Sequence, residues 1–349
     1  MVETLRTYGH QLAEPGFEDA KELVAHMGAV QGQDLEMCKW AVGIRLKQPS
    51  LAHVREALDS GRIVRTHILR PTWHLVSADD IRWMLDTCGK RLRSAYMTSW
   101  GKHWDVDEEK YAQFRNAAGN LLTGTDGLTM QELTAALNEA GHAWNQDQVK
   151  TMLSIGEVEG LVCNGREKNR KHTYALLEER VPAAAGISKE EALSRLASRY
   201  FRSHSPASLE DFMWWSGLSG PEARAAVAPI AHELIADRYE DRKLYVHEAG
   251  IRENVPDEEA HLLPPYDEYL ISYRDRTHVL DPKHSAKAHN NYGIFHPVIL
   301  YKGRIAGNWK KVSKKGGIEI ETTFFQKAGA PGKRKIQAAI DRYIDFLKA

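Results

Sequence analysis

Two short segments carry basic side chains on predicted β-hairpins, a setting in which such side chains hold phosphate groups or enter a nucleic-acid groove. The first, residues 63–76, reads as two strands that turn near Arg70 and Pro71. The second has a polar run, residues 164–172, between two apolar stretches. We predict groove or phosphate contacts from the basic residues of both segments, which are Arg65, His67, Arg70, His74, Lys168, Arg170 and Lys171. An alternative stays open, because strand alternation turns about half of such residues toward the core and a charge run can be a solvated turn.

A third segment, residues 262–276, holds neighbouring carboxylates that suggest acid–base chemistry or a metal. The stretch reads as mostly strand-like, and neighbours on a strand point to opposite faces. Asp267 and Glu268 are therefore not expected to form one constellation, and an Asp275–Arg276 ion pair that braces the region is equally compatible. The residues that we predict to line a cleft are Trp73, Asp267, Tyr269 and Arg276. For Trp73 the alternative is an ordinary core aromatic.

Several kinds of site have no motif in the sequence. The sixteen histidines form no His-x-x-x-His pattern, and the three cysteines, Cys38, Cys88 and Cys163, form no Cys-x-x-Cys pair. A phosphate-binding Walker loop, a dinucleotide fingerprint and a Gly-x-Ser-x-Gly elbow are also missing. We therefore predict no metal site and no cofactor.

Composition places the chain among ordinary folded proteins. Hydrophobic residues make up 42% and charged residues 27% of the chain, values close to the averages for folded proteins. Its length of 349 residues is enough for two or three domains. No apolar run approaches the roughly 20 residues that span a bilayer, and the first residues do not resemble a signal peptide. We expect a cytoplasmic monomer that does not bind membranes.

The formal net charge is zero, which argues weakly against a nucleic-acid partner, because such binding requires a local excess of lysine and arginine. Basic residues nevertheless cluster in residues 165–172, 302–315 and 333–335. Acidic residues cluster elsewhere, in residues 105–109 and 257–259. This distribution predicts a one-sided electrostatic field that can serve a polyanion.

A unit of three helices followed by a two-stranded segment occurs three times, which is the order of a winged helix. The middle copy is the clearest, because Thr129-Met-Gln-Glu132 and Asn145-Gln-Asp-Gln148 are capping signatures that open two successive helices. The first copy includes a helix near residues 51–58 before its hairpin, and the third begins at Ser188-Lys-Glu-Glu191. Residues 181–186 and 253–259 read as linkers.

The predicted fold is therefore α+β: three tandem winged-helix modules, then a small β-barrel-like domain with a terminal helix. Strands are predicted at residues 298–301, 305–309 and 318–325, and a helix at about residues 333–348. The predicted domains are residues 1–100, 101–180, 181–252 and 253–349.

Three blocks resemble one family. They are Val30-Gln-Gly-Gln-Asp34, Thr66-His-Ile-Leu-Arg-Pro-Thr-Trp-His-Leu-Val76 and Leu262-Leu-Pro-Pro-Tyr-Asp-Glu-Tyr-Leu-Ile-Ser-Tyr-Arg-Asp-Arg276. In this order and spacing they are similar to the bacterial winged-helix DNA glycosylases, which excise alkylated bases and unhook interstrand crosslinks. The resemblance covers nearly the whole chain. It implies tandem winged helices with a C-terminal β-barrel around a DNA-sized cleft, and a catalytic Gln-x-Gln pair.

The resemblance maps the catalytic pair onto Gln31 and Gln33, with Gly32 where the family usually has an apolar residue. The pattern alone is not specific, since Gln146-Asp-Gln148 also matches it. A neutral amide cannot accept a proton as a carboxylate can, but it can orient water. Purines alkylated at N7 or N3 carry positive charge and depart readily, so orienting water suffices. The implied function is hydrolysis of their N-glycosidic bonds in duplex DNA, including crosslinks.

Two alternatives predict different behaviour. A non-catalytic winged-helix DNA binder, such as a transcriptional regulator, would bind DNA without releasing bases. A member that has drifted to a small-molecule or protein ligand would show no salt-dependent DNA affinity.

Overall fold

A computed structural model describes residues 1–239, 242–251, 258–314, 317–327 and 329–349. The chain mixes helices and strands and divides into two compact units. Unit 1 comprises Met1–Val54 and Leu193–Ala349, and unit 2 comprises Arg55–Ala192. The four domains predicted from the sequence follow a different division and stay a prediction.

The N-terminal part of unit 1 is a series of short helices joined by tight turns. Its elements are α1 (Val2–Gly9), α2 (Ala20–Met27), β1 (Val30–Gln31) and α3 (Met37–Gly43). The following helix, α4 (Leu51–Asp59), agrees with the helix predicted at residues 51–58 and contains the division between the units. The Asp19 side chain accepts a hydrogen bond from the Glu22 amide and thereby caps α2.

Unit 2 contains a hairpin, a helical cluster and a small sheet. Its elements are β2 (Ile63–His67), β3 (Trp73–Ser77), α5 (Ile81–Tyr96), α6 (Glu108–Leu122), β4 (Leu128–Thr129), α7 (Met130–Glu139), α8 (Gln146–Val158), β5 (Val162–Asn164), β6 (Thr173–Leu176) and α9 (Leu177–Arg180). The predicted hairpin turn is confirmed, because β2 pairs antiparallel with β3 from Ile63 opposite Ser77 to His67 opposite Trp73. Both predicted capping boxes are present at the starts of α7 and α8. In the second sheet the strand order is β4-β6-β5.

The remainder of unit 1 begins with three helices and a two-stranded hairpin. These are α10 (Lys189–His204), which begins in unit 2 and enters unit 1 at Leu193, then α11 (Leu209–Ser216), α12 (Gly220–Val227), β7 (Leu234–Tyr239) and β8 (Arg242–His247). Gly217 ends α11 in the left-handed conformation, with φ of 68°, as its place after the helical pattern predicts.

The C-terminal region is a four-stranded antiparallel sheet with short helices and a long terminal helix. Its elements are β9 (Ala260–Leu263), α13 (Glu268–Ile271), α14 (Ser285–Ala288), β10 (Val298–Tyr301), β11 (Arg304–Lys314), β12 (Gly317–Phe324) and α15 (Lys333–Lys348). The strand order is β12-β11-β10-β9, so over the described residues the sheet is open rather than barrel-like as the sequence suggested. A helix covers the sheet instead, since α15 packs on β9 and Tyr343 lies 5.1 Å from the Trp309 ring.

The segment 262–276 differs from its predicted strand-like character. Only Leu262 and Leu263 lie in β9, and Pro264 and Pro265 follow. Proline has no backbone N–H for a ladder, so the strand ends there. The Asp267 side chain then accepts a hydrogen bond from the Tyr269 amide and starts the short helix α13.

Some expectations lie partly outside the described residues. Residues 252–257 include most of the predicted linker at 253–259, and residues 315 and 316 include the end of one basic cluster.

Candidate functional site

The Gln-Gly-Gln segment connects α2 to α3. Gly28 ends α2 with φ of 76°, a conformation that favours glycine, and a Cβ at this position would lie 3.2 Å from the Arg199 Cβ and 3.3 Å from the Trp215 ring. The chain is then extended through Val30 and Gln31 and bends at Gln33. Asp34 starts the next helical segment, because its Oδ1 accepts hydrogen bonds from the amides of residues 36 and 37, each at 3.0 Å. Structured elements therefore fix both ends of the segment.

The two glutamines differ in environment. Gln31 is 3% exposed, whereas Gln33 is exposed on the bend. The Gln31 backbone N–H donates a 2.6 Å hydrogen bond to Oε1 of Glu268, a residue 237 positions later in the chain. A buried carboxylate thus fixes the backbone beside the motif and leaves Gln33 at the surface.

Glu268 belongs to a buried polar cluster. Its Oε2 lies 3.4 Å from Nε2 of His204, and both side chains are fully buried. The Tyr273 hydroxyl donates to the His204 carbonyl at 2.7 Å and lies 2.8 Å from Nε2 of His10. Sequence reasoning missed this cluster: it considered Glu268 only together with Asp267, which it did not expect to share a site, and it did not select His10 or His204, whose partners lie far away in sequence.

Burial controls the protonation of these histidines. Desolvation lowers the pKa of His204, although the Glu268 carboxylate opposes the shift, and it lowers the pKa of His10 well below its usual value. Desolvation also lowers the pKa of the buried His74 and His172 of unit 2. All four imidazoles are therefore neutral at neutral pH.

These shifts predict acid-sensitive stability. Because the folded pKa values lie below the unfolded value of about 6.5, the unfolded chain binds more protons below that pH. The stability from neutral imidazoles is complete above pH 6.5 and is lost as the pH falls. Burial raises the pKa of Glu157, which acts in the opposite direction, but this is one group against six histidines, because desolvation also lowers the pKa of His26, to about 4, and of His289. Urea midpoints should fall between pH 7.5 and 5.5, and unchanged midpoints would contradict the assignment.

Asp267 and Tyr269 do not line an open cleft. Asp267 forms a bidentate ion pair with Arg45 at 2.7 and 2.9 Å, and both side chains are inaccessible to solvent. The Tyr269 hydroxyl donates to the Gly303 carbonyl at 2.9 Å, and the ring is buried. In unit 1 these residues hold α13 in place beside Gln31.

Arg276 is half-buried next to two aromatic side chains, the buried Phe295 and the exposed Trp214. Its Nε donates to the Leu270 carbonyl at 2.7 Å, and its guanidinium carbon lies 5.0 Å from the Phe295 ring centre and 5.6 Å from that of Trp214. Of the residues predicted to line a cleft in unit 1, it is the one with access to solvent.

The hairpin of unit 2 turns most of its basic residues inward. Arg65 is 5% exposed and stacks 3.9 Å above the half-buried Trp73, and His74 is fully buried. His67 lies 2.5 Å from the buried Glu157 carboxylate. Only Arg70 of this set is partly exposed. The arrangement supports internal packing for Arg65, His67 and His74 rather than contact with a groove.

The second basic segment is at the surface. Lys168 and Lys171 form reciprocal backbone hydrogen bonds around a two-residue turn, in which Asn169 and Arg170 have positive φ of 49° and 63°. Arg170 and Lys171 are exposed, and the Lys168 side chain is 41% exposed although it lies 3.4 Å from Glu132. This turn presents three cations on a defined backbone.

Within the described ranges, no group of three His, Cys, Asp or Glu side chains is arranged to hold a metal ion. Over the same ranges, no helix has both the length and the apolar character needed to cross a membrane.

Comparisons with known proteins agree on one family. Residues 24–346 match the family model described as "DNA glycosylase AlkZ-like". The chain is 24% identical over 320 residues to the interstrand DNA cross-link repair glycosylase of Streptomyces sahachiroi, with 87% of this chain and 85% of that protein covered. The structure of the DNA glycosylase AlkZ from the same organism superposes with a TM-score of 0.81 at 20% identity, covering 99% of this chain and 95% of that one.

Proposed function

The chain belongs to the AlkZ-like family of DNA glycosylases, and from this premise we propose that it hydrolyses the N-glycosidic bonds of cationic, N7- or N3-alkylated purines in duplex DNA. We propose Gln31 and Gln33 as its catalytic residues. The observation that carries the proposal is the fixed Gln31 backbone beside an exposed Gln33. A rigid backbone matters because water positioned for attack must be held closely in the ground state.

Two neutral amides suit a substrate that already carries the charge. A cationic purine leaves without protonation, so the enzyme needs no strong acid on the base. In this proposal Gln33, which is exposed, contacts the attacking water, and Gln31, which is buried, is the sheltered member of the pair. Gln31, Gly32 and Gln33 also make further interactions within the chain.

Unhooking of interstrand crosslinks is the extension of this chemistry that we propose for larger substrates. The relative from S. sahachiroi bears the name of a cross-link repair glycosylase. A crosslink between purine N7 atoms leaves each base cationic, so the same hydrolysis would release one end. We also propose that the chain acts as a cytoplasmic monomer.

The finer architecture that we propose is three tandem winged helices. In unit 2 the order α6, β4, α7, α8, β5, β6 and the sheet order β4-β6-β5 fit a winged helix whose wing is the β5–β6 hairpin. Residues 189–247 repeat the order of three helices and a hairpin.

Phosphate contacts by the β5–β6 turn predict a specific salt response. Each phosphate contact contributes about −0.9 to the slope of log affinity against log salt concentration. Replacing Lys168, Arg170 and Lys171 by glutamine should reduce the magnitude of that slope by about two to three, measured by fluorescence anisotropy on an undamaged duplex. The control replaces Lys47 and Lys348, whose side chains are 48% and 72% exposed, by glutamine and should leave the slope unchanged. An unchanged slope in the triple variant would show that Lys168, Arg170 and Lys171 do not contact the phosphates.

Glu268 offers a test of the fixed backbone. In Glu268→Gln an amide oxygen can still accept from the Gln31 N–H, whereas Glu268→Ala leaves that buried donor and His204 without the carboxylate. We expect Glu268→Ala to lower kcat for base release by about tenfold, the equivalent of one lost buried hydrogen bond, with KM almost unchanged. Glu268→Gln should retain most activity. Equal losses in both variants would contradict a positioning role for the hydrogen bond.

The experiment that tests the function is a count of abasic sites. The protein is incubated with a duplex that contains one N7-methylguanine, and alkali cleaves the strand wherever the base has left. Time-dependent cleavage above the spontaneous rate supports the proposal. Salt-dependent binding without cleavage would favour the non-catalytic alternative.

A further inference from the structure

A surface loop of unit 1 presents a tyrosine side chain almost entirely to solvent. Tyr292, between His289 and Phe295, is 93% exposed. The Asn290 side chain accepts hydrogen bonds from the amides of Tyr292 and Ile294, at 2.9 and 3.1 Å. Gly293 completes the turn with φ of 77°. The backbone under the tyrosine is therefore organised, although the ring itself is exposed.

Further aromatic and basic groups surround the base of this loop. Phe295 is buried and stacks on His289 at 5.2 Å. The Arg276 guanidinium lies near both Phe295 and Trp214, and Trp214 is 43% exposed. We call these five residues, Trp214, Arg276, His289, Tyr292 and Phe295, the aromatic platform.

The platform is attached to the helix that holds the Gln-Gly-Gln segment. The Trp214 indole N–H donates to the Ile271 carbonyl at 2.8 Å, and Arg276 donates to the Leu270 carbonyl. Both carbonyls belong to α13, whose first residue, Glu268, accepts the Gln31 N–H. The platform and the proposed catalytic segment are therefore held by opposite ends of one four-residue helix within unit 1.

The chemistry of the platform specifies its ligand. The exposed Trp214 ring next to the Arg276 guanidinium, with the exposed Tyr292 ring on the adjoining loop, suits a flat, electron-rich group that lies close to negative charge. Lys287 and His296, both exposed, add basic groups from the two ends of the same loop region. In DNA this combination is met by a nucleobase that has left its stack, with its own phosphate alongside.

We propose that the aromatic platform binds an unstacked nucleobase of the substrate DNA, with Tyr292 as the stacking residue and Arg276, at the base of the same loop, as the cation for the adjoining phosphate. The site acts next to the lesion, because α13 links it to the Gln31 backbone. The inference rests on the proposed function for its partner, DNA, but it concerns binding and not the chemical step. Stacking on one aromatic residue changes affinity by about tenfold or more.

The test compares binding to two duplexes that differ by one unpaired base. One duplex is fully paired, and the other has a single 2-aminopurine opposite an abasic-site analogue. We expect the unmodified protein to prefer the second by about tenfold and to quench the 2-aminopurine fluorescence through stacking. Tyr292→Ala should abolish both the preference and the quenching, whereas Tyr292→Trp should retain them.

Trp100→Ala is the matched control, because Trp100 is 53% exposed and belongs to unit 2, outside the platform. Equal binding of the two duplexes by the unmodified protein would overturn the proposal, and so would preference and quenching that persist in Tyr292→Ala. Equal loss in Tyr292→Ala and Trp100→Ala would also overturn it, since nonspecific aromatic contact would then suffice. These outcomes are independent of the abasic-site count, so failure of the platform and failure of the glycosylase proposal are distinguishable.

Discussion

Replacing Gln31 and Gln33 together by alanine is expected to reduce base release from N7-methylguanine DNA by about 10²-fold or more. Loss of one preorganised polar group at a reacting centre commonly has an effect of this size. Neither side chain is charged, so affinity for an undamaged duplex should change little. The measurement is a single-turnover rate of abasic-site formation, together with a binding titration.

The chain supplies its own control for this double variant. Gln146 and Gln148 have the same spacing at the start of α8, where Gln148 completes a capping box. Their double replacement by alanine should weaken α8 by about 1 kcal/mol and leave base release near the unmodified rate. If both double variants lose activity equally, the loss reports damaged folding, and the catalytic assignment of Gln31 and Gln33 fails.

Asp267→Ala is expected to destabilise the protein by about 3–5 kcal/mol. The change leaves the Arg45 guanidinium buried without its carboxylate, and an uncompensated buried charge has a cost of this order. The substitution also removes the side-chain cap of α13, next to Glu268. The shift is measured as a lower urea midpoint followed by tryptophan fluorescence.

Two further variants identify the cause of that loss. Replacing Arg45 by methionine and Asp267 by leucine together removes both charges, and should restore part of the stability. Glu18→Ala breaks an exposed pair with Lys47 and should shift the midpoint by about 0.5 kcal/mol or less. A single Asp267→Ala variant as stable as Glu18→Ala would mean that the buried ion pair contributes little.

Local sequence signals predicted the helices and turns well. The capping boxes at Thr129 and Asn145 and the terminal helix from Lys333 to Lys348 are where the sequence places them. These features depend on residues three or four apart, so a short window contains their cause. The family resemblance drawn from three sequence blocks is also confirmed, by the match over residues 24–346.

Long-range contacts explain what sequence reasoning missed at the site. Glu268 and Gln31 are far apart in the chain, and no spacing rule connects them. The two prolines before Asp267 carried the available signal, because they end the strand and allow a helix to begin. Because the strand ends there, Asp267 caps the helix α13. The two neighbouring carboxylates then have different partners, since Asp267 pairs with Arg45 and Glu268 accepts the Gln31 N–H.

Buried charge explains the difference at the first hairpin, and a covering helix explains the difference in the C-terminal sheet. Arg65 and His67 read as groove-contacting residues because basic side chains are usually exposed, yet Trp73 and Glu157 provide internal partners for them. The C-terminal sheet likewise stays open over the described residues, because α15 covers apolar surface that a closed barrel would bury. Neither the internal partners of Arg65 and His67 nor the helix that covers the sheet can be recognised from a short stretch of sequence.

Hydrolysis of cationic bases by Gln31 and Gln33 is tested by comparing two substrates under single-turnover conditions. The unmodified protein is mixed with duplexes that contain either N7-methylguanine, a cationic base, or uracil, a neutral one. We expect rapid abasic-site formation in the first duplex and none above background in the second, because Gln31 and Gln33 can orient water but cannot protonate a leaving base. Efficient release of uracil, or no release of N7-methylguanine, would contradict this expectation.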